Sequence, residues 1–219
     1  MKLLDIMPEL KACIFDLDGT LLDSMNLWQD IDKEYLKKHG ILFDTSYSDV
    51  IKNMSFDESA KFFIKEFHIK KSEAEIKSDW NAMAEDAYRY HIKEKKGCIK
   101  LLSELKKQGI LMCIATSCNK QHAEMALSRL NMLSYFSFIM TCSEVGKNKE
   151  HPDIFLQCAK RMHVEPSQCC LFDDLYNALK TAHKEHFLTA GVYDQLSEKE
   201  EDKKKRLCHV YVNDFEELI

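Results

Sequence analysis

Residues 12–20 constrain this chain more than any other stretch. Ala12-Cys13-Ile14-Phe15 is an apolar run, short and β-prone enough for a buried strand, and it leads straight into Asp16-Leu17-Asp18-Gly19-Thr20. Two carboxylates one residue apart, past a strand and before a glycine-permitted turn, stand where open α/β sheets bind ligands. The spacing lets one carboxylate attack an electrophile while the second handles protons. The plainer alternative is a solvated acidic turn in which Asp18 or Thr20 caps the next helix.

The rest of the chain decides which fold could hold that turn. From residue 22 to about 92 the pattern is helical. Leu27, Ile31 and Tyr35 recur every fourth residue, and Gly40 follows as a stop. Ser55 with Glu58 and Ser72 with Glu75 each form a capping box. The first precedes the stripe Ala60, Phe63, Ile64, Phe67, and the second precedes Ile76, Trp80, Met83, Ala84, Ala87. From Gly97 onward, helical stretches alternate with apolar runs at 110–115, 138–140, 169–172, 187–192 and 210–212. That alternation predicts an α/β fold, a Rossmann-like, doubly wound, mostly parallel sheet. The expected domains are a sheet core over 1–21 and 93–219 and an inserted all-α cap over 22–92.

Composition narrows the partners. The 219 residues are 45% hydrophobic, enough for a substantial core, and the net charge of −5 argues against nucleic acid or an anionic membrane. The densest charge run, 197–206, alternates in sign and reads as a solvated helix or loop. The first nine residues carry acids where a signal peptide needs an unbroken apolar stretch, and no segment approaches a membrane span. Of the nine cysteines, Cys13, Cys113, Cys169 and Cys170 lie in strand-like runs, as reduced thiols behaving like small hydrophobes would. A cytoplasmic monomer with free thiols is expected. His183 and His186 read as residues of a solvated helix rather than zinc ligands.

In a parallel sheet the functional groups cluster past the strand carboxyl ends. Three further sets occupy such places: Thr116 and Ser117, Lys149 in the loop 146–153, and Asp173 with Asp174. Singly, each has an ordinary alternative: a helix cap, a solvated lysine, a strand-end turn. Together they suit a phosphoryl group beside a hard cation, since an attacking carboxylate needs the phosphate's charge neutralised.

These motifs resemble the haloacid dehalogenase superfamily of aspartate-nucleophile phosphatases, in the branch that includes β-phosphoglucomutase-like and phosphoglycolate-phosphatase-like proteins with a helical cap. The likeness runs through Phe15 to Ser24, Ile114 to Ser117, Glu144 to Phe155, and Phe172-Asp173-Asp174. It implies that Asp16 forms an aspartyl-phosphate, and that Asp18 protonates the leaving oxygen and then activates water. It further implies Mg²⁺ held by the Asp16 carboxylate, the Asp18 carbonyl and Asp174, with Asp173 as a ligand or a support for one. Thr116, Ser117 and Lys149 would grip the phosphoryl oxygens of a small phosphorylated metabolite. The cap would close over the substrate and set specificity.

The chain departs from the pattern at Leu175, where the family has serine, and at Ala178, where it has glycine. Leu175 removes a hydroxyl that could cap the next helix and orient the acids. Trp28 and Phe56 stand where β-phosphoglucomutases carry a cap histidine and a phosphate-gripping arginine. With Thr20, these positions favour hydrolysis over a phosphosugar mutase. A non-catalytic binding relative is the other alternative, whereas a signalling receiver domain would be shorter and would lack both the cap and the paired acids.

Overall fold

The computed structural model describes residues 2–24, 26–44, 47, 51 and 56–219, with the backbone alone at 56 and 57. In chain order its main elements are β1 Ala12–Phe15, β2 Leu22–Asp23, α1 Leu27–Lys38, α2 Phe56–Phe67, α3 Glu73–Tyr90, β3 Lys93–Glu94, α4 Cys98–Lys107 and β4 Leu111–Thr116. There follow α5 Lys120–Arg129, β5 Ile139–Thr141, α6 Asp153–Met162, β6 Cys169–Asp173, α7 Tyr176–Lys184, β7 Leu188–Val192, α8 Glu201–Leu207 and β8 Val210–Val212, with short helical pieces between and beyond them. The chain divides into two compact units, Met1–Met25 with Ile92–Ile219, and Asn26–His91.

The first unit is a six-stranded sheet in the order β5-β4-β1-β6-β7-β8, parallel throughout. Because β1 is paired on both edges and covered on both faces, all four of its residues are buried, which is why the run is apolar without alternation. Its even positions pack into a core with Cys113, Ala115, Phe155, Cys158 and Leu171. On the other face Phe15 stacks on Phe172 at 4.6 Å between ring centroids. From β1 the chain builds β4 and β5 to one side and β6 to β8 to the other. The order reverses at β1, and the carboxyl ends of β1, β4 and β6 are neighbours there. Gly191 lies opposite Tyr211, whose ring would be 2.8 Å from an added Cβ, so only glycine allows β8 to close on β7.

Three features differ from the sequence expectation. Residues 22–23 form a two-residue strand antiparallel to Lys93–Glu94, and the sheet unit includes them. Two residues carry no period, and their partner lies some seventy positions away, so no local signal exists. The charge run 197–206 is not wholly solvated: Ser197 and Lys204 are buried. His186 lies beyond the end of α7 with φ of 65°, so it shares no helix face with His183.

The second unit has an aromatic interior. Ile31, Tyr35, Leu36, Ala60, Phe63, Ile76, Trp80 and Ala84 form its core, with the Phe63 and Trp80 rings edge to face at 4.8 Å. The Ser72–Glu75 capping box is present at the start of α3. The Ser55–Glu58 box lies outside the described residues. Polar groups stay near the surface, as where the Tyr35 hydroxyl donates to Asp79 at 3.2 Å and Lys71 reaches the same carboxylate at 2.5 Å. Among the described residues no helix is long and apolar enough to cross a membrane. Cys13, Cys113, Cys169 and Cys170 are buried as free thiols, and burial pushes each of them up.

Candidate active site

The ladder between β1 and β6 carries one residue past β1. Asp16 N donates to Phe172 O at 2.9 Å, which sets Asp16 beside Asp173 at the switch point. The chain then folds back at once: Leu21 and Leu22 N both donate to Leu17 O, at 3.0 and 2.9 Å. Gly19, with φ of 81°, supplies the left-handed residue that this turn requires. The turn aims Thr20 inward, and its hydroxyl donates to Asp174 Oδ1 at 3.1 Å. Asp18 is half-buried and accepts from the Ser24 hydroxyl at 2.5 Å.

Asp16, Asp173 and Asp174 are all buried, and each offers a carboxylate oxygen within 4.8 Å of the other two. Lys149, from the loop before α6, is also buried. Its ammonium pairs with Asp16 and donates to Asp173 Oδ2 at 2.9 Å. Asp173 Oδ1 accepts from Leu175 N at 2.9 Å, so both Asp173 oxygens are engaged. Asp174 Oδ2 is buried with no hydrogen-bond donor among the described residues. A buried carboxylate oxygen left without a donor is costly, and a cation with oxygen ligands would relieve that cost. The donor set therefore fits a hard divalent ion.

The electrostatics follow from burial. Desolvation pushes the Asp16 carboxyl well above the usual range, with Lys149 opposing and Asp173 and Asp174 adding to the rise. Burial also lifts Asp174, aided by Asp173 and Asp194, to about 7. Burial pulls the Lys149 ammonium down, but Asp16 and Asp173 outweigh it and hold the lysine above its ordinary value. Lys149 therefore stays charged at the point where an anion would arrive.

Thr116 is the last residue of β4 and is buried, its hydroxyl oxygen accepting from Cys118 N at 3.0 Å. The hydroxyl proton is left to donate elsewhere. Ser117 is exposed, with its hydroxyl 3.4 Å from the Cys142 thiol. The cap for α5 is neither of these but Asn119, whose side chain accepts from Gln121 N. Leu175 stands at the N-cap of α7 with no side-chain cap bond. Trp28 is exposed on α1, and the Phe56 side chain lies outside the described residues.

Sequence reasoning missed the groups behind the acids. Lys204 Nζ donates to the Asp174 backbone carbonyl and to Ser197 Oγ, both at 2.8 Å. Burial lowers its ammonium below the usual lysine value, with Asp174, Asp194 and Asp173 opposing. Lys95 pairs with Asp194 at 2.9 Å and donates to the Tyr193 carbonyl at 2.6 Å. No local signal marked Lys204, which stands between two other lysines in a run of alternating charge.

Fold and cluster together define the class: a doubly wound α/β protein with a buried carboxylate–lysine centre at the switch point of its sheet. The chain belongs to the haloacid dehalogenase-like hydrolase family, whose model matches residues 13–192. It is 28% identical over 204 residues to the glyceraldehyde 3-phosphate phosphatase of Pyrococcus furiosus, covering 87% of this chain and 85% of that one. It is 29% identical over 176 residues to the bifunctional riboflavin kinase/FMN phosphatase of Arabidopsis thaliana, covering 80% of this chain but only 46% of that longer protein. A crystal structure of a protein described as a β-phosphoglucomutase from Thermotoga maritima superposes with a TM-score of 0.83 at 22% identity, over 95% of this chain and 97% of that one. At that identity the likeness is one of fold.

Proposed function

We propose that this protein is a Mg²⁺-dependent phosphomonoesterase for a small phosphorylated metabolite of the sugar-phosphate kind. The observation that carries the reading is the cluster of Asp16, Asp173 and Asp174, with an undonated Asp174 oxygen and the Lys149 ammonium against it. A carboxylate nucleophile, an oxygen-rich cation site and a fixed ammonium are the parts that transfer of a phosphoryl dianion demands. The phosphatases among its relatives support the same reaction class.

In this reading an Asp16 oxygen attacks phosphorus and the bond to the substrate oxygen breaks, while Asp18 gives that oxygen its proton. Asp18, now a carboxylate, takes a proton from water. The water oxygen attacks the aspartyl-phosphate, the Asp16–phosphorus bond breaks, and inorganic phosphate leaves. Lys149, the Thr116 hydroxyl and the backbone at Ser117 hold the phosphoryl oxygens throughout. Asp16, Asp174 and the Asp18 carbonyl would hold Mg²⁺, while Asp173, both oxygens engaged, secures Lys149. When bound, Mg²⁺ supplies neutralisation of phosphoryl charge.

The test is hydrolysis of p-nitrophenyl phosphate with Mg²⁺, followed by a sugar-phosphate panel with free-phosphate detection. Asp16→Asn should lower turnover on the order of 10⁴-fold or more, because an amide cannot act as the nucleophile. Activity surviving that change removes Asp16 from the chemistry. Isomerised sugar phosphate without phosphate release would replace the hydrolase with a mutase.

A further inference from the structure

Lys204 is fully buried beneath the acid pair, at the head of a series of buried polar contacts. Its ammonium holds the Asp174 carbonyl and the Ser197 hydroxyl; the Ser197 hydroxyl donates to the Asp194 carbonyl at 3.2 Å; and the Asp194 carboxylate pairs with Lys95. Lys95 N also donates to Leu21 O at 2.8 Å, and the neighbouring Thr20 separately donates its hydroxyl to Asp174 Oδ1. Asp174 is thus gripped at two points, backbone carbonyl and Oδ1, by groups that leave Oδ2 without a donor.

Burying an ammonium is costly unless its partners are excellent. A methionine of similar length would fill the same space without that cost. What the ammonium adds is a strong bond to one peptide carbonyl, which fixes the plane from which the Asp174 side chain projects. Residues just behind a metal's ligands act in this way, orienting a ligand they do not replace. We propose that Lys204 is a positioning residue that, through Asp174, presents the Oδ2 atom to the divalent cation, with Ser197 holding Lys204 in turn. The proposal rests on the reading of Asp174 as a metal carboxylate.

Charge alone would act in the opposite direction. Removing a cation from beside the acids would tighten cation binding, whereas losing a positioning group weakens it. Mn²⁺ binding, followed by electron paramagnetic resonance of the free ion, separates the two without any turnover. Lys204→Met should weaken Mn²⁺ binding by about tenfold, and Ser197→Ala by a smaller factor in the same direction. At saturating metal the KM for p-nitrophenyl phosphate should hold while kcat falls. Unchanged or tighter Mn²⁺ binding in both variants overturns the proposal. If Lys204→Met does not fold, Ser197→Ala decides the matter by itself. A wild-type protein that binds no Mn²⁺ overturns the metal-site reading as well, which distinguishes the two failures.

Discussion

In the sheet unit, Asp16, Asp173, Asp174 and Asp194 lie buried together with Lys149 and Lys204, while Lys95 is only 13% exposed. In the helical unit the interior is a cluster of rings and aliphatic chains, and the ion pairs sit at the rim, as Lys71 and Asp79 do at 35% and 36% exposure. Buried charge lowers stability unless it is paired, whereas aromatic burial raises it directly. The first unit therefore tolerates its chemistry only through the pairing of those charges. The second is built for cohesion, and among its described residues Asp32 departs from that pattern, since burial pushes it up to about 7.

The largest expected effect tests the paired side of that contrast. Lys149→Met strips the ammonium from between Asp16 and Asp173 and should cost about 3–5 kcal/mol, the usual result of breaking a buried ion pair. Urea denaturation near neutral pH reads it, and an unmoved midpoint would mean that the buried charges are not mutually supported. Asp32→Asn tests the helical side. Asp32 holds its proton more tightly when folded, so its contribution is fully present below about pH 4 and is lost as pH rises through about 7. The asparagine variant should gain on wild type across that window and level off above it, by up to about 4 kcal/mol. Thermal melts from pH 4 to 8 check the sign, and a flat difference would mean that Asp32 is solvated. Smallest is Ile76→Val in the fully buried core of the helical unit, expected to cost about 1 kcal/mol and leave p-nitrophenyl phosphate turnover at saturating metal unchanged. A fall in turnover would show that the core packing of this unit also serves the chemistry.

Much of this was legible because the informative signals are local. A strand buried on both faces reads as unbroken apolar residues, and a turn needing a left-handed residue reads as glycine, so residues 12–20 carry their structure openly. The Ser72–Glu75 box is equally local. Lys204 is the contrary case: its neighbours are charged, its run alternates in sign, and its partners are a distant backbone carbonyl and a serine. A hydrogen bond to a carbonyl leaves no mark on the residue that supplies the carbonyl. Strands β2 and β3 were hidden for a related reason, each being too short to show a period and paired only across the whole helical stretch. At Leu175 the sequence pointed to a lost cap. The structure has Leu175 N on Asp173, with Thr20 and Lys204 holding Asp174, so orientation of the acids passes to residues far apart in the chain.

The sequence by itself determined the sheet, the helical interruption and the acid, hydroxyl and lysine types past successive strands, because periodicity and turn chemistry act over a few residues. Only the tertiary structure decided which of those acids share a cluster, which oxygen is left without a donor, and which lysine is buried behind them. Those outcomes depend on strand order and on the desolvation of one group by another, neither of which any short stretch of chain contains.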